Sequence, residues 1–252
     1  MKEHFPDDRL WELEDRYRGS FEVEPLSYGT VRDLADSLDN LDGLARANGD
    51  MKDLQRCWAL KAVLGSVEKG ARLVEIGAGE PLVAGLLTKL GHDVTVVDPY
   101  DGSGQGPREF ERFRGAYPEV EFIRERFPPT AALPGDVAGV YSVSVLEHIP
   151  SEEVGAVVDT ARALAGPAGC SIHAVDHVIA GWGDQDHLAR LEEIVRRSGM
   201  EVKRLHALID RLRNEPETYF VSAEAHERWR GALPYDDYPM RRIASIGLFS
   251  RP

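Results

Sequence analysis

Residues 71–102, ARLVEIGAGEPLVAGLLTKLGHDVTVVDPYDG, constrain the fold more than any other stretch of this chain. They read as an apolar strand, a glycine turn, a short helix, a second strand, and an acid where that second strand ends. Leu73, Val74 and Ile76 make a buried strand, and Gly77 and Gly79 let the backbone turn tightly and approach a ligand closely. Pro81 suits the first turn of the following helix, where its missing N–H would go unpaired in any case. Gly91 stops that helix, and residues 93–97 form the second strand. Asp98 follows the turn at the distance from which a carboxylate accepts hydrogen bonds from a ribose. The segment is predicted to be a nucleoside-binding βαβ unit.

The choice of nucleoside turns on two positions. A dinucleotide fingerprint, G-x-G-x-x-G, has a third glycine so that the helix can carry a pyrophosphate on its N-terminus. Here that position is Leu82, and the turn is led by an acid, Glu75. A carboxylate repels phosphate and favours an ammonium or sulfonium group.

The stretch Glu75-Ile76-Gly77-Ala78-Gly79 resembles motif I, D/E-x-G-x-G, of the class I S-adenosylmethionine-dependent methyltransferases. A second block, YSVSVLEHIP at 141–150, looks like the fourth strand and its end in the same family, where LEHxP recurs. The resemblance spans residues 70–205. It implies S-adenosylmethionine as cofactor, with S-adenosylhomocysteine as product. Glu75, Gly77, Ala78 and Gly79 would lie against the amino-acid portion of that cofactor, and Asp98, with Pro99 beside it, would bind the ribose. Ser144 would bond polar groups near the cofactor end of its strand. Relatives carry an acid after the third strand for the adenine amine; the matching stretch here is Arg124-Glu125-Arg126-Phe127, leaving Glu125 by hydrogen bond or Phe127 by stacking. The FD that opens the fourth strand in relatives is shifted as well, Asp136 being the nearest acid.

Alternating strands and helices from residue 70 onward predict an α/β fold with a doubly wound, mostly parallel, seven-stranded Rossmann-like sheet. Strands are expected at 120–123, 136–145, 170–175, 202–208 and 243–249, besides the two of the βαβ unit. Residues 1–69 show helical spacing and no strand: Leu10, Leu13 and Tyr17 share one face, Val31, Leu34, Leu38 and Leu41 another. Within a third helix, expected over 50–67, Leu60, Val63, Leu64 and Val67 fall on one face that would pack on the sheet. The chain thus divides into a helical N-terminal cap over the cofactor (1–69), a cofactor-binding core (70–208), a lid insertion (209–242) and a last strand (243–252). The lid is proposed because long excursions in compact domains are usually functional. Its Tyr219, Phe220, His226, Trp229, Tyr235, Tyr238 and Met240 either line an acceptor pocket or form the packed underside of the lid.

A protein that neutralises phosphates needs a basic face, and a net charge of −13 disfavours nucleic acid as the acceptor; the expected acceptor is a small molecule. Cys57 and Cys170 lack metal-ligand spacing and read as structural thiols of a reducing compartment. The N-terminus is charged throughout, and no apolar run reaches the length of a membrane span, so a soluble, cytoplasmic protein is expected.

Open α/β sheets bind ligands at the carboxyl ends of their strands, so chemistry is sought after residues 145 and 175. His148 either acts as a general base or orients the strand-to-helix turn. The preferred acceptor-side pair is His177 and Asp176, an imidazole base oriented by a neighbouring carboxylate; the alternative is a solvated turn. His187 reads as the first residue of a helix capped by Asp184 or Asp186. The segment Asp176-His177-Val178 is also similar to the DNV segment of the metal-dependent catechol O-methyltransferases, which implies a divalent-metal alternative using Glu147, Asp176 and His177. LEHIP belongs to the metal-independent branch, so no metal is the preferred reading. Methyl transfer to oxygen or nitrogen is the expected reaction. An NAD(P)-linked oxidoreductase and a non-catalytic cofactor-binding module are the rivals.

Overall fold

In a computed structural model, residues 10–103, 106–180, 186–221, 234–237 and 241–251 are described. Three helices and one short strand come first: α1 (Leu10–Tyr17), β1 (Leu26–Tyr28), α2 (Val31–Asn40) and α3 (Asp42–Ala45). Then come α4 (Met51–Ser66), β2 (Arg72–Ile76), α5 (Leu82–Lys89) and β3 (Asp93–Val97). The chain continues through α6 (Phe110–Ala116), β4 (Glu121–Ile123), β5 (Val137–Val143), α7 (Ser151–Ala165) and β6 (Cys170–Ala180). It ends with α8 (His187–Arg197), α9 (Val202–Asn214) and β7 (Arg241–Ser250).

The seven strands form one sheet in the order β1-β7-β6-β5-β2-β3-β4. The five strands from β6 to the β4 edge pair in parallel, whereas β7 runs antiparallel to both β6 and β1. Successive residues on a strand point to opposite faces, and two apolar layers result. On one face, Leu73, Tyr141 and Ile172 meet Leu60, Leu64 and Leu87 from α4 and α5. On the other, Val74, Val140 and Val175 meet Val158, Ile194 and Leu205 from α7, α8 and α9. The doubly wound Rossmann-like architecture is therefore present. The chain reverses its strand order between β2 and β5, and ligands bind at such switch points.

Local chemistry explains several element boundaries. Thr30 caps α2: its hydroxyl accepts from the Asp33 amide at 3.2 Å while the Asp33 carboxylate accepts from the Thr30 amide at 2.8 Å. Asp50 caps α4 by accepting from the Lys52 amide at 2.7 Å. The helices ahead of α4 are fastened onto it. Tyr17 donates to Asp36 at 3.3 Å, the buried Lys61 ammonium donates to the same carboxylate, and the Arg18 guanidinium donates to the Val67 carbonyl at 2.7 Å.

Four expectations are corrected. Residues 202–208 are not a strand: Leu205, Ile209 and Leu212 are buried at helical spacing, and that face docks α9 on the sheet. The sheet still counts seven strands because β1, in a region read as purely helical, pairs with the free edge of β7 through Leu26↔Leu248 and Tyr28↔Ile246. The strand expected at 170–175 runs on to Ala180, because β7 supplies a ladder partner all along it, including Asp176↔Ser245 and His177↔Ala244. The stretch 209–242 begins as the end of α9 and so is not all insertion. His226, Trp229, Tyr238 and Met240 lie outside the described residues, as does Asp184.

Candidate functional site

The glycine turn at the carboxyl end of β2 is built from left-handed backbone and close packing. Gly77 and Gly79 have φ of +64° and +58°, a region that L side chains rarely adopt. A Cβ on Gly77 would also lie 2.8 Å from a Val145 methyl, so the turn and the loop after β5 are in direct contact there. Gly79 is different, since the nearest atom to a Cβ there is Pro107 Cδ at 3.7 Å. Ala78 is half-buried between them.

Asp98 is buried at the end of β3 and braces this turn. Its Oδ2 accepts from the Gly79 amide at 3.0 Å and its Oδ1 from the Tyr100 amide at 2.8 Å; the Tyr100 hydroxyl donates to the Gly79 carbonyl at 3.0 Å. Burial pushes its carboxyl up from the usual aspartate value, and the two amides oppose that shift. Pro99 sits half-buried between Asp98 and Tyr100.

Glu75 is buried on the α4–α5 face of β2, at 3% exposure. Its Oε2 accepts from the Tyr141 hydroxyl at 3.0 Å, and the Ala84 amide of α5 also bonds to it. Burial raises its pKa to about 7 against those bonds. The Glu75 carboxylate thus ties β2 to β5 and α5 beneath the glycine turn.

Of the two residues expected near adenine, Glu125 accepts from the Thr130 amide and hydroxyl, at 2.5 and 2.7 Å, and Phe127 packs half-buried against the α7–α9 layer. Ser144 is buried just beyond β5 with φ of +53°, its amide donating to the Ala174 carbonyl at 2.8 Å. The next residues form a short 3₁₀ turn, Leu146–His148, which buries Glu147 and exposes His148.

At the carboxyl ends of β5 and β6 these elements converge on a carboxylate pair. Glu147 Oε1 accepts from the Asp176 amide at 2.9 Å, and Asp176 Oδ1 accepts from the Gln55 side-chain amide of α4 at 2.9 Å. Burial and the Glu147 charge push Asp176 up to about 7, opposed by His148, Gln55 and Lys52. Glu147 is also raised by burial. Gln55 Oε1 and Glu147 Oε2 are buried with no hydrogen-bond partner among the described residues.

The first turns of α4 supply the rest of the site. Asp53 accepts from the Asn48 and Gly49 amides at 2.9 and 2.5 Å, and the Arg56 guanidinium donates to the Asn48 side-chain oxygen at 2.8 Å. Burial and Asp53 together raise Asp50 to about 6, and the charges of Asp53 and Asp50 help burial to raise Tyr219. Sequence reasoning missed this group, although a signal existed. Counting back from Leu60 at helical spacing puts Asp53 and Arg56 on the apolar face, where polar residues have a cost unless they are partnered.

The Asp176–His177 pair expected from the sequence is not formed. Both residues lie inside β6, so their side chains leave opposite faces of the sheet. Asp176 meets Gln55 of α4, whereas His177 meets His187 of α8. His177 Nδ1 lies 3.3 Å from His187 Nε2, the rings are stacked at 5.4 Å, and the Val178 amide donates to His187 Nε2 at 3.0 Å. His177 is 2% exposed, and burial, reinforced by His187 and Arg213, lowers its pKa to about 3. Such an imidazole stays neutral and is a weak base. The same divergence corrects the divalent-metal alternative: Asp176 and His177 cannot share one ion.

No family model and no curated protein matches this chain. Among solved structures it is similar to a TehB-like SAM-dependent methyltransferase from Corynebacterium glutamicum, with a TM-score of 0.46, 14% identity, and coverage of 88% of this chain and 99% of that one. It is similar as well to an S-adenosylmethionine-dependent methyltransferase from Mesorhizobium loti, with a TM-score of 0.42, 19% identity, and 77% and 97% of the two chains covered.

Proposed function

We propose that this chain is an S-adenosylmethionine-dependent methyltransferase acting on a small-molecule acceptor at oxygen or nitrogen. The observation that carries the proposal is the turn at the switch point. Left-handed Gly79 has no atom nearer than 3.7 Å to where a Cβ would stand, and the Asp98 carboxylate lies beside it, on an α/β sheet whose first βα turn lacks a third glycine. An acid beneath the turn, Glu75, suits a sulfonium cofactor better than a pyrophosphate. When bound, that cofactor supplies an activated methyl group on a good leaving group, so the protein's work is alignment and proton removal.

Gly77, Ala78, Gly79, Asp98 and Pro99 are assigned to the cofactor, with Ser144 at its edge and Glu125 or Phe127 toward its base. Glu75 is a positioning residue that holds the turn through Tyr141 and Ala84. The reaction is read as metal-independent, because the ligands that a metal would share diverge across the sheet. The charge of −13 favours a small acceptor over nucleic acid, and two buried unpaired cysteines suit a reducing, cytoplasmic setting. Among the described residues, no helix is long and apolar enough to cross a membrane.

The test is incubation with methyl-labelled S-adenosylmethionine and a cell extract fractionated into small molecules, protein and nucleic acid. Label should enter the small-molecule fraction and persist with a chelator present. Transfer only to macromolecules, or loss of transfer on chelation, overturns the corresponding part of the reading.

A further inference from the structure

We propose that Gln55, Glu147 and Asp176 form a subsite for a protonated amine, so that the methyl acceptor is the nitrogen of a small amine. The proposal rests on the methyl-transfer reading and narrows its acceptor.

The argument begins with unmatched acceptors. Gln55 is fully buried, and its amide nitrogen is committed to Asp176 Oδ1 at 2.9 Å. That fixes its Oε1 beside the same carboxylate, with no donor among the described residues. Glu147 is 8% exposed; its Oε1 is committed to the Asp176 amide at 2.9 Å, and its Oε2 is likewise unmatched. Asp176 itself is only part-buried. Burying acceptors without donors is unfavourable, and two of them flanking a carboxylate call for a ligand rich in donors. An ammonium group brings three N–H donors and a compensating charge. A neutral hydroxyl brings one donor and adds an acceptor to a place that already has too many.

Location supports the same assignment. The loop from Ser144 to His148 packs Val145 against Gly77 of the cofactor turn and carries Glu147 two residues further on. An amine held by Glu147 and Asp176 therefore lies next to the turn that would hold the methyl donor. Glu147 and His148 from the 3₁₀ turn, with Gln55 and Lys52 from α4, are the polar and charged groups that act on Asp176.

The chemistry balances without another reagent. The bound ammonium gives one proton to the Asp176 carboxylate, which exposes the nitrogen lone pair. That lone pair forms the new N–C bond as the bond between methyl carbon and sulfur breaks, its electron pair staying on sulfur. The sulfonium becomes a neutral thioether, the product departs as an N-methylammonium ion, and the Asp176 proton returns to solvent.

The test uses the full chain saturated with S-adenosylhomocysteine, titrated calorimetrically with primary amines and their isosteric alcohols, from methylamine and methanol to 2-phenylethylamine and 2-phenylethanol. Amines should bind at least about tenfold more tightly than the matching alcohols. Asp176→Asn, which retains an oxygen for Gln55, should erase most of that preference, and Glu147→Gln should do the same. Equal affinity for amines and alcohols, no amine binding across the series, or a preference unchanged in both variants overturns the proposal. Failure of S-adenosylhomocysteine itself to bind would instead overturn the cofactor reading.

Discussion

The two glycines of the cofactor turn should respond differently to one added methyl group, and the difference can be worked from their surroundings. Gly77→Ala forces a side chain into left-handed backbone, which costs ~1–2 kcal/mol. It also drives the new Cβ to 2.8 and 2.9 Å from the two Val145 methyls, an overpacking worth ~1–3 kcal/mol. The total loss of stability is about 2–5 kcal/mol. Gly79→Ala carries only the backbone term, ~1–2 kcal/mol, since its nearest neighbour stands at 3.7 Å. Val145→Ala removes the clashing methyls and leaves Val145 Cβ, 3.5 Å from the new atom. In that background the cost of Gly77→Ala should fall to the backbone term alone. Urea unfolding of the four variants, with the double mutant referred to its Val145→Ala parent, reads these numbers directly. Affinity for S-adenosylhomocysteine should move the other way, with Gly79→Ala losing more than its small stability cost implies, because the proposal assigns Gly79 to the cofactor. Equal destabilisation by the two alanines, or no rescue by Val145→Ala, would refute the account of this turn.

Asp98→Ala removes a carboxylate that accepts from two backbone amides, so both cofactor affinity and stability of the free protein should fall. The affinity loss should be about 1.5–3 kcal/mol by calorimetry, and unchanged affinity would remove Asp98 from the site. His177 is held neutral by burial, with a pKa near 3 when folded and an ordinary value when unfolded. Its contribution is therefore present above pH ~6.5 and is lost as the pH falls below it, by up to ~1.4 kcal/mol per unit. His177→Gln should show a shallower loss of stability between pH 7 and 5 in urea titrations, although the buried His173, lowered to about 4, keeps some slope. Asp176 has the opposite sign: with its pKa raised from 3.8 to about 7, its charge weakens the free protein progressively as the pH rises between those values, and the full cost is present above pH 7. Asp176→Asn should raise the melting temperature at pH 8 and lose that advantage progressively between pH 7 and pH 4; a lower melting temperature at pH 8 would contradict the burial argument.

Much of this molecule was legible in the chain, and the failures share a cause. The βαβ unit could be read because its signals are local: an apolar run, two glycines, a capping turn and an acid, all within 32 residues. Residues 202–208 deceived because VKRLHAL alternates well enough to pass for a strand, and only the packing partners of Leu205, Ile209 and Leu212 decide for a helix. The strand Leu26–Tyr28 is three residues long and exists because β7 offers an unpaired edge more than two hundred residues away in sequence, which no local pattern encodes. Asp176 and His177 read as a dyad because the strand was expected to end at residue 175, just before them. Extending β6 by five residues to Ala180 placed them back to back. The replacement partners, Glu147 and Gln55, are 29 and 121 residues from Asp176, a separation that only the tertiary fold closes.

The central claim is that the turn at the end of β2 holds a sulfonium cofactor, and calorimetric titration of the full chain with S-adenosylhomocysteine and, separately, with NADH tests it most directly. The account predicts saturable binding of S-adenosylhomocysteine, weakened by Asp98→Ala and Gly79→Ala, and no binding of NADH. Binding of NADH without binding of S-adenosylhomocysteine would contradict it.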